Sequence, residues 1–420
     1  MCYTQSRFKA LLSACVMSLI ATAGWSQSLT WLGVLPNGTY SYAHAVSADG
    51  AVVVGVADNA AGRQRAFRWT ALGGMQDLGT LLGYNRSSAY AVSADGAVVV
   101  AWAWNVAGHG RAFRWTASGG MQDLGTLGGG RSWAYGVSAD GAVVVGVAEN
   151  AAGQYRAFRW TALGGMQDLG TLGGYESGSN AVSADGAVVV GWAWNAAGRS
   201  LAFRWTASGG MQDLGTLGGN YSDANAVSAD GAVVVGVASY YDYVSRRYYE
   251  RAFRWTASGG MQNLGTLGGN ESWAYGVSAD GSVVVGEAKN AAGQYRAFRW
   301  TAAGGMEDLN TTYASLLTNG SVLWRASAIS PDGRYIVGYG YNAATERTEA
   351  YLLDTGSRCT AHNGDVDAND CVDDADLLAV LFAFGNSGST LGREDANCDG
   401  TVDDADLLQV LFNFGNSCGN

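Results

Sequence analysis

Proline is almost missing from this chain of 420 residues, with Pro36 and Pro331 the only two. Proline breaks helices and removes ladder hydrogen bonds from sheets, so long stretches are free to pair without interruption. Charge is also scarce: charged residues are 15% of the sequence and hydrophobic residues 48%. Lysine occurs only at Lys9 and Lys289, and the net charge is −11. A nucleic-acid-binding protein needs a basic surface, which excludes nucleic acid as a partner. The three histidines, His44, His109 and His362, stand beside no candidate nucleophile, and no glycine-rich phosphate loop or His/Cys metal spacing occurs. Past the N-terminus no run is long and apolar enough to span a membrane. Cysteine is absent between Cys15 and Cys359, so most of the chain relies on its core.

Glycine and repetition stand in their place. The 62 glycines punctuate a recurring unit, seen at its fullest as Ala-Val-Ser-Ala-Asp-Gly-Ala-Val-Val-Val-Gly from Ala181, Ala-Phe-Arg-Trp-Thr from Ala202 and Met-Gln-Asp-Leu-Gly-Thr-Leu-Gly-Gly from Met211. The Ser-Ala-Asp-Gly turn begins at Ser47, Ser93, Ser138, Ser183, Ser228 and Ser278, and a Ser-Pro-Asp-Gly version at Ser330, with spacings of 46, 45, 45, 45, 50 and 52 residues. A period of this length carrying several short strands marks the blades of a β-propeller.

Each unit supplies four strands. Ala-x-Ala-Val-Ser ends in an Asp-Gly hairpin turn. Ala-Val-Val-Val-Gly is a strand buried on both faces. Arg-Ala-Phe-Arg-Trp-Thr brings aromatics to pack between blades, and Gly-Gly-Met-Gln-Asp-Leu follows a glycine turn. The first three strands occur seven times and the Met-Gln-Asp-Leu strand six times. Residues 29–35 therefore complete the last blade and close the ring. The predicted fold is an all-β seven-bladed β-propeller over residues 29–355, and the repeated Asp is a turn former, not a catalytic acid.

The N-terminus has the parts of a secretory signal over residues 1–23: Arg7 and Lys9, an apolar run from Ala10 to Ile20, and a small-residue cleavage site at Ala21-Thr-Ala23. Leu12-Ser-Ala-Cys15 has the look of a lipoprotein box, but its apolar run follows the cysteine, so lipidation is not expected. The protein is expected to be secreted, extracellular or held at the cell surface. The Arg-Ala-Phe-Arg-Trp phrase and the Met-Gln-Asp-Leu-Gly-Thr-Leu-Gly-Gly segment resemble the HAF-type extracellular repeat family over about residues 29–355. The family's His-Ala-Phe is Arg-Ala-Phe in five repeats here, Leu201-Ala-Phe in one and Glu349-Ala-Tyr in the last. The resemblance implies architecture and export but no activity.

Residues 358–420 form a different, acidic domain, with 12 Asp and Glu against Arg358 and Arg393. Two 12-residue loops rich in oxygen each precede an apolar helix, beginning at Leu377 and Leu407. EF-type loops bind calcium through positions 1, 3, 5, 7, 9 and 12. Those positions are Asp365, Asp367, Asn369, the Cys371 carbonyl, Asp373 and Asp376 in the first loop. In the second they are Asp395, Asn397, Asp399, the Thr401 carbonyl, Asp403 and Asp406. A solvated acidic loop would have similar composition, but two copies in register point to two Ca²⁺ ions. Val372 and Val402 fall at position 8, where paired loops bridge backbone to backbone. This duplicated loop and helix resembles a dockerin, which implies calcium-dependent folding and a cohesin-like protein partner. The four tail cysteines point to two disulfides in an oxidising compartment. Of the three connectivities, Cys359–Cys418 with Cys371–Cys398 is preferred.

The loops joining second to third strands, and blade to blade, vary between repeats, whereas the two hairpins on the opposite face hardly change. Recognition is expected on the variable face. Candidate ligand-binding residues there are the strand pairs Trp102 and Trp104, Trp192 and Trp194, and Tyr339 and Tyr341, although packing between blades would use such residues too. The blade-five insertion adds Tyr243 and Arg246. Acids on this face (Glu149, Glu176, Asp223, Asp242, Glu250, Glu271 and Glu287) are expected mostly as solvated surface. The predicted function is that of an exported, non-catalytic binding protein whose propeller recognises a glycan or a protein. The alternative is a polysaccharide-degrading O-glycosyl hydrolase of an extracellular multi-enzyme complex, recognisable by paired carboxylates in the central funnel.

Overall fold

The structure is a computed structural model describing residues 27–242, 246–356, 364–367, 371–386, 394–396 and 401–415. The expected signal segment, Tyr243, and Asn369, Asn397 and Asp399 of the tail lie outside them. The chain divides into two compact units, one of them Ser28–Thr355 and the other including Gly356–Asn420.

The first unit consists of seven four-stranded antiparallel sheets, each built from consecutive strands except the last. In that sheet Ser28–Trp31 lies outermost, pairing antiparallel with Arg347–Asp354 so that Leu29 faces Leu353 and Trp31 faces Tyr351. The ring closes as the strand count predicts. The closing strand is shorter than residues 29–35, because Gly33 turns the chain at φ 71°. Leu32 and Leu35 then bury themselves against blade one.

The turn sequence explains itself locally. Ser47 Oγ donates to Asp49 Oδ1 at 2.6 Å, the same carboxylate accepts Ala51 N–H at 2.9 Å, and Ser47 Oγ accepts Val52 N–H at 2.9 Å. This pattern recurs in the other blades. Hydrogen bonds to Ser93, Ser138, Ser183 and Ser228 hold the carboxyls of Asp95, Asp140, Asp185 and Asp230 below their usual range. The turns also join one another: Ala48 N–H donates to Ala94 O, Ala94 to Ala139, Ala139 to Ala184, Ala184 to Ala229, and Ala229 to Ala279. A second clip is the serine six residues before each turn serine in blades one to six. Ser132 Oγ accepts Ala112 N–H at 3.0 Å and donates to Gly125 O at 2.6 Å, both in the preceding blade.

Cores lie between blades. Val52, Val54 and Leu78 of blade one pack with Ala89, Val99 and Phe113 of blade two, and the other interfaces repeat the arrangement. The alternating third strand thus buries Phe67, Phe113, Phe158, Phe203, Phe253, Phe298 and Tyr351 completely.

Two expectations are corrected. In blades three to six the blade-to-blade segments are not loops: the innermost strands begin at Gly128, Gly173, Gly218 and Gly268 and take those segments in. Their partner strands run long enough to pair with them; Gly128, for example, lies opposite Asn150. The blade-five insertion likewise lengthens a hairpin instead of forming a free loop. Tyr240 pairs with Tyr249, Tyr241 with Tyr248 and Asp242 with Arg247.

The tail unit has helices Asp374–Ala383 and Asp404–Asn413, each opened by a capping box, Asp373 with Asp376 and Asp403 with Asp406. Val366, Val372, Val380, Val402 and Val410 form its core. Among the described residues no helix is long and apolar enough to cross a membrane.

Candidate functional site

The innermost strands converge on the propeller axis, and all seven break register at the same place. The breaks fall between Ala43 and Ala45, Ala89 and Ala91, Ala134 and Gly136, Ser179 and Ala181, Ala224 and Ala226, Ala274 and Gly276, and Ala326 and Ala328. A β-bulge re-aims the side chain of its extra residue. The extra residues are His44, Tyr90, Tyr135, Asn180, Asn225, Tyr275 and Ser327, and every one lines a single cavity of about 530 Å³. Two residues upstream on the same strands, Tyr42, Asp223 and Arg325 add to the wall, and Tyr339 joins from a second strand.

The ring is ordered by contacts that run from blade to blade. His44 stacks on Tyr90 at 4.7 Å, and Tyr90 meets Tyr135 edge-on at 5.2 Å. Asn180 Nδ2 donates to Ala224 O at 2.9 Å and to Asp223 Oδ1 at 2.8 Å, while Asn225 Nδ2 donates to Ala274 O at 2.8 Å. His44 Nδ1 lies 2.7 Å from Ala89 O. A carbonyl only accepts, so Nδ1 carries the proton and Nε2 is left as an acceptor. Burial lowers the His44 pKa to about 4, with the Arg325 charge acting the same way and the Ala89 carbonyl opposing. Burial pushes the Asp223 carboxyl up to about 7 against the pull of the Asn180 amide. It also raises the phenols of Tyr42, Tyr135, Tyr275 and Tyr339, which therefore remain neutral donors. Tyr275 Oη donates a hydrogen bond to Glu287 Oε1 at 2.7 Å, and its ring lies 3.5 Å from the Arg325 guanidinium carbon. The wall is aromatic on blades one to three, amide and acid on blades four and five, and cationic on blade seven.

A second cleft, of about 480 Å³, is lined by Trp192, Trp194, Arg199, Asn220, Tyr221 and Asp223 among others. Asp223 lines both spaces. The three aromatic pairs expected as ligand platforms thus separate. Trp192 and Trp194 line this cleft, with Tyr175 stacked on Trp194 at 5.0 Å. Trp102 packs on Trp104 at 4.3 Å and against Trp133 at 6.4 Å, as packing would have it. Tyr339 faces the central cavity and Tyr42, whereas Tyr341 stacks with Trp324 at 6.4 Å. Arg246 is an exposed turn residue at φ 55°.

The acids separate as well. Glu250 accepts from Trp273 Nε1 at 2.6 Å, Glu149 accepts Gly130 N–H at 3.0 Å, and Glu271 pairs with Lys289 at 2.5 Å. Asp223 is the only carboxylate among the described lining residues of the central cavity. Paired funnel carboxylates, the mark of the hydrolase alternative, are not brought together there.

In the tail, carboxylate oxygens of Asp365, Asp367 and Asp376 all lie within 4.8 Å of one another. These are positions 1, 3 and 12 of the first loop. Asp376 and Asp406 are fully buried, and each accepts the backbone N–H of its helix cap, Asp373 or Asp403, at 2.9 Å. Val402 exchanges backbone hydrogen bonds with Gly385 and Asn386 after the first helix, and Val372 O accepts Gly415 N–H after the second. The position-8 residues thus lock each loop to the far end of the other repeat. Cys359, Cys398 and Cys418, and with them the expected pairing, lie outside the described residues.

Solved structures with similar architecture include a puromycin-hydrolyzing peptidase from Mycobacterium tuberculosis, at 15% identity and TM-score 0.50 over 74% of this chain. TolB from Acinetobacter baumannii matches at 12% identity and TM-score 0.43 over 73% of this chain. The likeness is one of fold. The chain spans 64% of that TolB and 52% of the peptidase. The β-propeller domain of the Trilobed protease from Pyrococcus furiosus, covered to 95%, matches at 9% identity and TM-score 0.48. No protein-family model matches the chain, and no curated protein is similar to it.

Proposed function

We propose that this chain is an exported, non-catalytic binding protein of the HAF-repeat kind whose propeller holds a sugar unit of a glycan in its central cavity. The supporting observation is the ring of bulged residues. A single repeat position carries His, Tyr, Asn or Ser while its flanks stay nearly constant, and all seven side chains meet in one space. Cavities of ~300–1,000 Å³ suit small ligands. Tyrosine faces stack on sugar rings, and amides, phenols and a carboxyl exchange hydrogen bonds with hydroxyls. The ligand surface is thus the funnel wall, continued over blades four and five by the Trp192 and Trp194 cleft, and not the outer loops alone. A glycan array with the whole chain tests this. Retention of a glycan that is lost in Tyr135→Ala supports the reading; no retained glycan, or retention indifferent to that change, refutes it.

The tail is proposed as a dockerin-like module binding two Ca²⁺ ions and docking to a cohesin-like protein. Three converging carboxylates fit a hard cation, with Asp365, Asp367 and Asp376 holding the first ion. Repeated exposed side chains, Phe382 with Leu378 and Phe412 with Leu408, offer an apolar helix face in duplicate for the partner. Binding of a cohesin panel measured with and without EGTA tests it, and binding indifferent to EGTA would count against it.

A further inference from the structure

We infer that the central cavity selects an anionic sugar, whose carboxylate or sulfate seats against Arg325 and Ser327; this rests on the cavity being a sugar site. The two residues stand two apart on the innermost strand of blade seven, Val322–Ile329, and both line the cavity. Arg325 Nε and Ser327 Oγ are buried atoms without a hydrogen-bond partner. Buried donors are nearly always satisfied, so two such groups side by side in a cavity wall mark the place of a ligand acceptor.

The charge around them points the same way. Arg325 meets the Tyr339 phenol, and Glu287 stands on the Tyr275 hydroxyl, but no carboxylate among the described residues forms a salt bridge with Arg325, whereas Arg334 in the same blade grips Asp354 at 2.7 Å. The face of Arg325 rests on the Tyr275 ring at 3.5 Å, which fixes its plane. His44 is near enough to feel the Arg325 charge and stays neutral, so it adds no competing cation. The cavity's carboxyl, Asp223, belongs to blade five and is engaged by Asn180. A hydroxyl oxygen has the lone pairs to accept from these donors but brings no charge to the guanidinium. An anionic group has two oxygens to accept from Arg325 Nε–H and Ser327 O–H together, and charge-assisted bonds of this kind are the stronger ones. Hydroxyls on the far side of the ring would then meet Asn180, Asn225 and Asp223.

The test is calorimetric titration of the whole chain with D-glucuronic, D-galacturonic and D-mannuronic acids, each against its neutral hexose, and with galactose 6-sulfate. At least one anionic sugar is expected to bind tenfold or more tightly than its neutral counterpart. Carboxylate and sulfate binding alike would show that the site recognises charge; binding of only one would show recognition of that group's shape. Arg325→Gln should erase the preference, and an unchanged propeller melting transition by calorimetry shows that the variant is folded. Ser327→Ala should weaken the anionic sugar severalfold. Equal binding of acid and neutral sugar to the parent, or a preference that survives Arg325→Gln, overturns the inference while leaving the sugar site standing. If no probe binds, the sugar site and the inference fall together.

Discussion

Asp223 offers a sharp test of the cavity's electrostatics, because its carboxyl is moved from 3.8 to about 7 by burial. A carboxyl protonated in the fold but ionised in the unfolded chain destabilises the fold as pH rises, with the loss accumulating between about pH 4 and 7. Complete isolation from solvent would make that displacement worth ~4 kcal/mol. The side chain faces two open spaces, so about half, ~2 kcal/mol, is expected once solvent screening is allowed for. His44 works in the opposite sense: with its pKa lowered to about 4, it favours folding above pH 6.5 and costs stability as pH falls through 4. The parent's own pH profile therefore mixes the two, and the informative quantity is the difference from Asp223→Asn. That variant keeps an acceptor oxygen for Asn180 and removes the titration. It should match the parent near pH 4.5 and exceed it by ~2 kcal/mol at pH 8. For a unit of about 330 residues this is a Tm shift of ~3 °C, readable by calorimetry of the propeller transition. If parent and variant keep a constant Tm difference across that range, Asp223 is not a buried acid and the reasoning fails.

Deleting Ser28–Trp31 removes the partly buried Leu29 and Trp31 and bares the edge of Arg347–Asp354; a loss of about 3–5 kcal/mol is expected, and an unaltered unfolding midpoint would refute velcro-like closure. Arg334→Met leaves Asp354 without its two-pronged partner and should cost ~3 kcal/mol, while Arg334→Met with Asp354→Leu should recover much of it; equal loss in single and double variants, measured by denaturant melts, would remove the pair's role. In the tail, calorimetry should show two transitions of which only one moves with added Ca²⁺, and Asp365→Ala should weaken calcium binding most in its own loop. A tail transition indifferent to Ca²⁺ in both oxidising and reducing buffer would mean that these loops are not calcium sites.

The propeller was readable from sequence because its instructions are local and repeated. Ser-Ala-Asp-Gly closes its turn through bonds within six residues, and the valine run is buried in every blade by the same neighbours. Even closure by Ser28–Trp31 followed from counting Met-Gln-Asp-Leu segments. What escaped was the length of the inner strands. Gly-Gly-Asn-Glu-Ser at Gly268 has the composition of a turn, yet it is drawn into the sheet because Val283–Asn290 offers it a paired edge. That is a tertiary effect overriding local propensity.

The central ring was present in the sequence in another form, as the unspecified x of Ala-x-Ala-Val-Ser, the residue that changes most while its neighbours stay nearly constant. Its meaning depends on the bulge, which no residue type announces, and on the ring geometry that sets seven such positions around one axis. The tryptophan pairs show why the cleft was harder still. Trp102 and Trp192 hold the same place in blades two and four and stand in near-identical sequence. The residue that decides their fates lies one blade further on: Trp133 packs against Trp102, whereas the matching position beside Trp192 is Asp223, which leaves a cleft. Trp192 also has room because its own strand partner is Gly178, where an added Cβ would come within 2.8 Å of the indole. A repeat aligned only with itself hides this dependence. Second strands must be compared with the first strand of the following repeat, since that is the surface each second strand meets in a propeller.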